Sequence, residues 1–345
     1  MAKQKNTGAD YAAELNKLKI HGPQRLYLLW GEEDYLRERF IEALRADVLG
    51  EGADDFNYKR LDGRRAELRD IEEAVNSVPF MGDGCFIELR DMDINSCKEE
   101  SASRLKKLLE DIPDYCTLVF VQDIGYVPDG RLGLIKAMKK QGEAIEFAAQ
   151  GQTAIVRWIG RRFKELGKDI SRQDAEYLIF TSGSLMNQLI PEIEKLAGYV
   201  SGETVTRGDI DAVAIKLPEA SVFEMTDCLT ARNYDGAAKI MAELLRSRES
   251  PIKLIAIISQ QMRRLYAAKL TAPQGRGSTE ELCALCGIKQ SFVAERLISS
   301  ARKLELSWLK LACEKCAEYD YKMKSSSADD EELLKELLAR LAVGA

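Results

Sequence analysis

A phosphate-binding loop is the first thing missing from this chain. No stretch carries Gly-x-x-x-x-Gly-Lys followed by Ser or Thr, the pattern whose backbone N–H groups and Lys cradle phosphates at a helix N-terminus. Histidine is scarce as well. His21 is the only one; it precedes the first predicted strand, has no triad partners in view and receives no catalytic assignment. No apolar run approaches the roughly 18–20 residues needed to span a bilayer. The opening MAKQKNTGAD lacks the apolar core of a signal peptide, so a short frayed leader on a cytoplasmic protein without membrane contact is expected. A basic excess is absent too. The net charge of -6 argues against a protein that grips nucleic acid alone through a broad basic surface, and leaves room for a DNA-contacting patch within a larger assembly. Internal repeats and low-complexity tracts are also lacking.

What is present is the composition of a soluble globular protein. The 345 residues are 46% hydrophobic and 31% charged with only 8 Pro, which calls for two or three domains. Residues 26–48, LYLLWGEEDYLRERFIEALRADV, read as an apolar strand, a tight Gly turn and an amphipathic helix. A nucleotide-binding α/β domain carries its phosphate loop at this place. Here the turn offers only Gly31, followed by Glu32, Glu33 and Asp34. Three carboxylates at the positive end of the helix dipole stabilise the helix and repel an anionic nucleotide. The architecture suggests an ATPase, and the chemistry argues against one.

The first 150 residues alternate strand and helix. Strands are expected at Leu26–Trp30, Phe56–Leu61, Cys85–Leu89, Cys116–Val121 and Ala144–Phe147. Between them, Leu36, Phe40, Leu44 and Val48 mark one helix, and Leu68, Ile71 and Val75 a second. Leu105, Leu108, Leu109 and Ile112 mark a third, and Leu132, Ile135 and Met138 a fourth. Such alternation implies parallel βαβ units with helices covering the sheet. The apolar run TLVFVQD ends at Asp123, where a P-loop enzyme carries a metal-holding Asp; without a phosphate loop it reads as a relic or a turn residue. AAQGQT at 148–153 breaks the pattern, and no strand is expected from residue 154 onward. Helical stripes follow through Ile155–Leu166, then from a capping box at Ser171 and Asp174, through Leu185–Leu196, and from Thr206 into RGDIDAV. KLPEAS at 216–221 reads as a second linker. Helices are then expected at 221–230, 233–247, 251–270, 279–286, 290–303, 307–324 and 329–342, with TAPQGRGST at 271–279 as a break. The division is therefore 1–150 as an α/β domain, 151–216 as a small helical domain and 217–345 as a C-terminal helical domain.

Four of the 8 Cys form two CxxC pairs, Cys283/Cys286 and Cys313/Cys316, a spacing found in zinc modules. Both pairs sit in helical patterns beside Leu282, Ala284, Leu311 and Ala312. There, i and i+3 share one face and Cys packs as a small hydrophobe. Buried packing is the expectation and no metal or cofactor is assigned; a zinc-dependent or adaptor-type nucleic-acid-associated protein is the alternative function.

The loop Val78-Pro79-Phe80-Met81-Gly82 joins a helix ending near Asn76 to the strand beginning at Cys85. Pro79 stiffens it, and Gly82 and Gly84 free the backbone behind it. Its apolar cluster fits either a Phe80 folded back as a plug under the sheet or an exposed aromatic anchor for a partner's apolar pocket.

YLLWGEEDYL, NSVPFMGDGCFIEL at 76–89, LIPEIEKLAGYV at 189–200, VFEMTDCL at 222–229, LIAIISQQMRRLYAAKL at 254–270 and AEYDYKMK at 317–324 together resemble, in order and spacing, the delta subunit family of the bacterial DNA polymerase III clamp loader. The resemblance runs from about residue 25 to the end. It implies an AAA+-like α/β domain without a Walker A motif, a small helical lid and a helical collar that joins an oligomer. It also implies an accessory, non-enzymatic role: binding the beta sliding clamp and holding its ring open for loading onto primed DNA. ATP would be handled by gamma/tau neighbours, with delta-prime as a further partner. The family's clamp-contacting element maps onto Val78, Pro79, Phe80 and Met81. The sequence departs from the pattern at Met81, where many relatives carry a second Phe; Met can fill an irregular pocket. Tyr319, Tyr321, Lys322 and Lys324 suit stacking and phosphate pairing with DNA passing the collar, although Lys near a helix C-terminus also follows from the dipole. Arg263 and Arg264 are expected at a subunit interface.

Overall fold

The computed structural model describes residues 10–50, 54–80, 82–271, 279–288 and 290–343. Two compact units emerge, one of Met1–Ile155 with Ser184–Ile190 and one of Val156–Gly183 with Pro191–Ala345. In chain order the first unit holds α1 (Tyr11–His21), β1 (Leu26–Trp30), α2 (Asp34–Leu49), α3 (Asp54–Asn57), β2 (Tyr58–Asp62) and α4 (Leu68–Val75). It continues with β3 (Cys85–Arg90), α5 (Glu99–Glu110), β4 (Cys116–Val121), α6 (Gly133–Gln141) and β5 (Glu143–Glu146).

The five strands pair in parallel in the order β2-β3-β4-β1-β5. Alternation along β1 divides its side chains between two layers. Leu26 and Leu28 join Ile71, Leu105, Leu109, Ile135 and Met138, from α4, α5 and α6. Tyr27 turns the other way onto Phe40 of α2, with ring centroids 6.0 Å apart. The chain therefore leaves β1 over one face and β4 over the other, although the two strands are neighbours. In such a sheet the crevice beyond the carboxyl ends of those strands is where a ligand would lie.

After β5 come α7 (Gln152–Glu165), β6 (Asp169–Ile170), α8 (Arg172–Ser182), α9 (Met186–Tyr199), β7 (Thr204–Val205) and α10 (Arg207–Val213). Then follow α11 (Pro218–Thr230), α12 (Tyr234–Arg246), α13 (Pro251–Thr271), α14 (Thr279–Cys286), α15 (Ser291–Arg302), α16 (Leu306–Ser325) and α17 (Asp330–Val343). Within the second unit Phe180 of α8 meets Phe223 of α11 and Phe292 of α15 edge-on, at 5.5 and 5.6 Å. The core of α11–α17 runs from Val222 to Leu341, and Trp308 donates its indole N–H to the Leu341 carbonyl at 3.1 Å.

The fold class is the one read from the sequence, a parallel-sheet α/β unit with helical segments after it, and four local expectations are corrected. No element was expected before residue 26, yet α1 forms, capped by Asp10 through the Ala12 N–H. The strand expected from Phe56 starts at Tyr58, because Phe56 and Asn57 close the short α3 and the ladder begins at the Tyr58–Phe86 pair. Strands β6 and β7 pair in parallel beyond residue 154; two residues each is too short to show a period. The second linker is shorter than read, since Pro218 sits in the first turn of α11, where its missing N–H costs nothing. The caps at Ser171 and Thr206 are as expected, each side chain accepting from the backbone three residues on. Among the described residues no helix is long and apolar enough to cross a membrane.

Candidate functional site

At the carboxyl end of β1 the turn packs against the segment that follows β5. Gly31 has φ +127°, and a Cβ there would collide with the Phe147 carbonyl. Two bonds staple this turn to the segment after β5: Phe147 N–H to Trp30 O at 2.7 Å, and Glu33 N–H to Phe147 O at 2.8 Å. The Asp34 N–H is taken by Glu32 O at 3.2 Å and the Arg37 N–H by Glu33 O at 3.2 Å. Three peptide donors of the turn and first helical residues, those of Glu33, Asp34 and Arg37, are thus engaged within the protein.

The three carboxylates differ from the sequence picture of a repelling cluster. Glu32 faces solvent, whereas Glu33 is fully buried. Its Oε1 accepts from the Met186 N–H at 3.2 Å, and its Oε2 has no partner. Burial pushes this carboxyl up to about 7, against the pull of the Met186 N–H and with a small push from Asp34. Buried Arg37 pairs with Asp34 and donates to the Gly31 carbonyl at 3.0 Å. At the end of β4, Asp123 behaves as a turn residue: its Oδ1 accepts from Ile124 N–H at 2.7 Å and its carbonyl from Tyr126 N–H at 3.2 Å. Arg64 bridges it to Asp91, at 3.3 and 3.1 Å.

The loop between α4 and β3 is the second feature. Val78 is 75% exposed and Phe80 58%, so Phe80 is no core plug. Pro79 is half-buried between them. The base of the loop is held by the Cys85 thiol, which donates to Ser77 O at 3.3 Å. Gly84 lies against the Val48 carbonyl with no room for a Cβ. Asn57, buried at the end of α3, holds the tip: its Nδ2 donates to Phe80 O at 3.0 Å and its Oδ1 accepts from Phe80 N–H at 2.7 Å. Phe56, 71% exposed, sets its ring 5.3 Å from that of Phe80 at 52°. Met81 lies outside the described residues.

Phe56 and Asn57 are the residues that sequence reasoning missed. Both were read as part of the strand expected at Phe56–Leu61, and the Asn57 link to Phe80 spans 23 positions. An Asn directly before a strand is the only trace, since its side chain readily bonds backbone groups.

The residues expected to touch DNA lie near the end of α16. Tyr321 is 72% exposed. Lys322 pairs with Glu318 at 2.8 Å and sits 4.5 Å from the centroid of the Tyr319 ring, while Lys324 pairs with Asp320 at 2.8 Å. Tyr319 itself is buried in the core. Glu318, bonded by Lys315 and Lys322, has its carboxyl lowered to about 2. Arg263 is exposed and Arg264 half-buried with its Nε unpartnered.

All four CxxC thiols pack on the core of the second unit, Cys316 within it and Cys283, Cys286 and Cys313 against it. Burial raises each thiol, Cys316 to about 12. Among the described residues no three His, Cys, Asp or Glu side chains converge as a metal site.

Comparison with known proteins adds lineage to this geometry. Residues 27–148 match the family model "DNA polymerase III, delta subunit", and residues 219–341 match "DNA polymerase III delta subunit, C-terminal domain". The chain is 25% identical over 339 residues to the DNA polymerase III subunit delta of Bacillus subtilis, covering 96% of each. It is 24% identical over 289 residues to the probable DNA polymerase III subunit delta of Aquifex aeolicus, covering 78% of this chain and 77% of that one. A solved structure of the Bacillus subtilis DNA clamp loader delta protein superposes with a TM-score of 0.52 at 24% identity, over 97% of this chain and 100% of that one. That likeness shows a shared fold.

Proposed function

The chain belongs to the DNA polymerase III delta subunit family, and we propose that within the clamp loader it binds the beta sliding clamp and holds the ring open without hydrolysing ATP itself. The observation that carries the reading is Phe80: a largely exposed aromatic ring on a backbone clamped from both sides by Asn57. An exposed ring on a fixed frame is the form of a binding anchor, because little ordering entropy remains to be lost on docking. Val78 and Pro79 flank it, and Met81 extends the same segment.

The crevice supports the second half of the proposal. Engaged turn amides, Glu33 turned inward and Arg37 committed to Asp34 and Gly31 leave no cradle for a triphosphate. ATP then belongs to gamma/tau neighbours, and delta-prime and primed DNA complete the assembly. Opening requires no chemistry from this chain. A ring with closed and open populations shifts toward open by the differential affinity of a partner for that form, and by no more.

We keep residues 1–150 as the AAA+-like clamp-binding part, 151–216 as the lid and 217–345 as the collar. A narrower part of the proposal gives Tyr321 a stacking role on DNA, with Lys322 and Lys324 exchanging Glu318 and Asp320 for phosphates. The zinc-dependent or adaptor alternative has less support, since its four thiols are committed to packing.

The test is equilibrium binding of the purified chain to the sliding clamp of the same organism. Wild type binds, and Phe80→Ala loses about 30-fold or more, the equivalent of about 2 kcal/mol. Equal binding by both moves the site elsewhere, and a folded wild type that does not bind overturns the clamp-opening role.

A further inference from the structure

Resting on the loop reading above, we propose that the docking element is a two-segment wedge. In it Phe56 supplies a second ring for the clamp's apolar pocket, and Asn57 is the positioning residue that sets both rings.

Three observations converge on it. Asn57 is only 2% exposed, and its carboxamide satisfies both the N–H and the C=O of Phe80. A side chain here copies a rung of backbone pairing, so the peptide is fixed while its ring is left in water. Next, Phe56 is the residue immediately before this amide and its ring meets that of Phe80 at 5.3 Å. Finally, the pair is exposed on both members, at 71% and 58%, with Val78 at 75% beside it. Single exposed apolar residues are ordinary, but adjacent ones on a braced frame mark an interaction surface.

The arrangement also explains how a loop with Gly82 and Gly84 behind it presents an anchor. The glycines permit the path, and Asn57, from a separate segment, removes the freedom they leave. The occupant that fits is an apolar pocket wide enough for two tilted rings, continuous with the one proposed for Phe80. Aromatic pairs contribute beyond their buried area when their mutual tilt is kept, so a shift in Asn57 would weaken both contacts together.

The experiment is titration of the full-length chain with the sliding clamp of the same organism, using Phe56→Ala, Phe56→Leu, Asn57→Ala, Phe80→Ala and the double Phe56→Ala/Phe80→Ala. Phe56→Ala is expected to weaken binding about tenfold or more and Phe56→Leu to restore most of it. The double variant should lose less than the product of the two single losses, because the rings share one contact. Asn57→Ala should weaken binding and speed hydrogen exchange at the Phe80 amide, with the circular dichroism of the chain unchanged. If Asn57→Ala unfolds the protein, the exposed Phe56 variants decide the matter. Wild-type binding by Phe56→Ala, with Phe80→Ala still weakened, overturns the wedge and leaves the loop reading intact. Wild-type binding by Phe80→Ala, or no binding by folded wild type, overturns the loop reading and the wedge with it.

Discussion

The carboxylate of Glu33 accepts the backbone N–H of Met186 at 3.2 Å, across 153 positions of sequence, with its other oxygen buried and unpartnered. Burial holds the proton on this group until about 7, against an ordinary value of 4.5. As pH rises from 4.5, the unfolded chain releases this proton first, so the folded state binds more protons and stability falls. The fall ends near pH 7, above which both states are ionised. Glu33→Gln should abolish that slope and stabilise the protein at pH 8 by up to about 3 kcal/mol. Melting temperatures of both proteins at pH 4.5, 6 and 8 check this, and parallel curves would count against it.

Gly31 has no tolerance for a side chain. Its φ of +127° disfavours any L-residue, and the Phe147 carbonyl fills the space a Cβ would take. Gly31→Ala should therefore cost about 2 kcal/mol or more. Gly130, whose Cβ would meet open space, is the control; denaturant midpoints for both substitutions give the comparison.

Arg90 is the second sensitive position. It bonds Glu38 through both terminal nitrogens, at 2.8 and 2.6 Å, and reaches Glu88 through Nε. Glu88 is buried, and its Oε2 accepts from the Tyr58 hydroxyl at 2.7 Å. Arg90→Met strips a buried carboxylate of its principal cation, for an expected loss of about 3–5 kcal/mol. The double Arg90→Met/Glu88→Leu should recover much of it in urea melts, because the orphaned charge is gone.

Phe80→Ala should separate binding from folding. The ring is more than half exposed, so its removal is expected to change stability by less than about 1 kcal/mol while clamp affinity falls. A large drop in melting temperature would make Phe80 a structural residue.

The CxxC thiols yield a chelation test. Prolonged dialysis against a strong chelator should leave the melting temperature unchanged. Cys316→Ser places a hydroxyl in the core of α16 and should cost about 1–2 kcal/mol. Zinc at one ion per chain, lost together with stability on chelation, would restore the zinc reading.

Much of the fold was legible because it is written locally. Five strands and the C-terminal helices follow from periods of 2 and 3.6, and Ser171 and Thr206 cap their helices within three residues. What escaped detection had little or no period to show: α1, which buries Leu18 alone, the two-residue strands at Asp169 and Thr204, and the four-residue helix that carries Phe56. Of the candidate loop, Val78, Pro79 and Phe80 were visible as an apolar cluster. Whether Phe80 points inward or outward is decided by Asn57, which lies in another element.

By itself the sequence determined the absence of a phosphate loop, the parallel α/β layering, the helical remainder and the place of the apolar loop. Each is a property of neighbours along the chain, where backbone period and side-chain type suffice. Only the tertiary structure decided that Glu33 turns inward under Met186, and that Asn57 holds Phe80 with Phe56 beside it. These are meetings of segments 23 to 153 residues apart, and packing determines them through burial and hydrogen-bond satisfaction that no local pattern encodes.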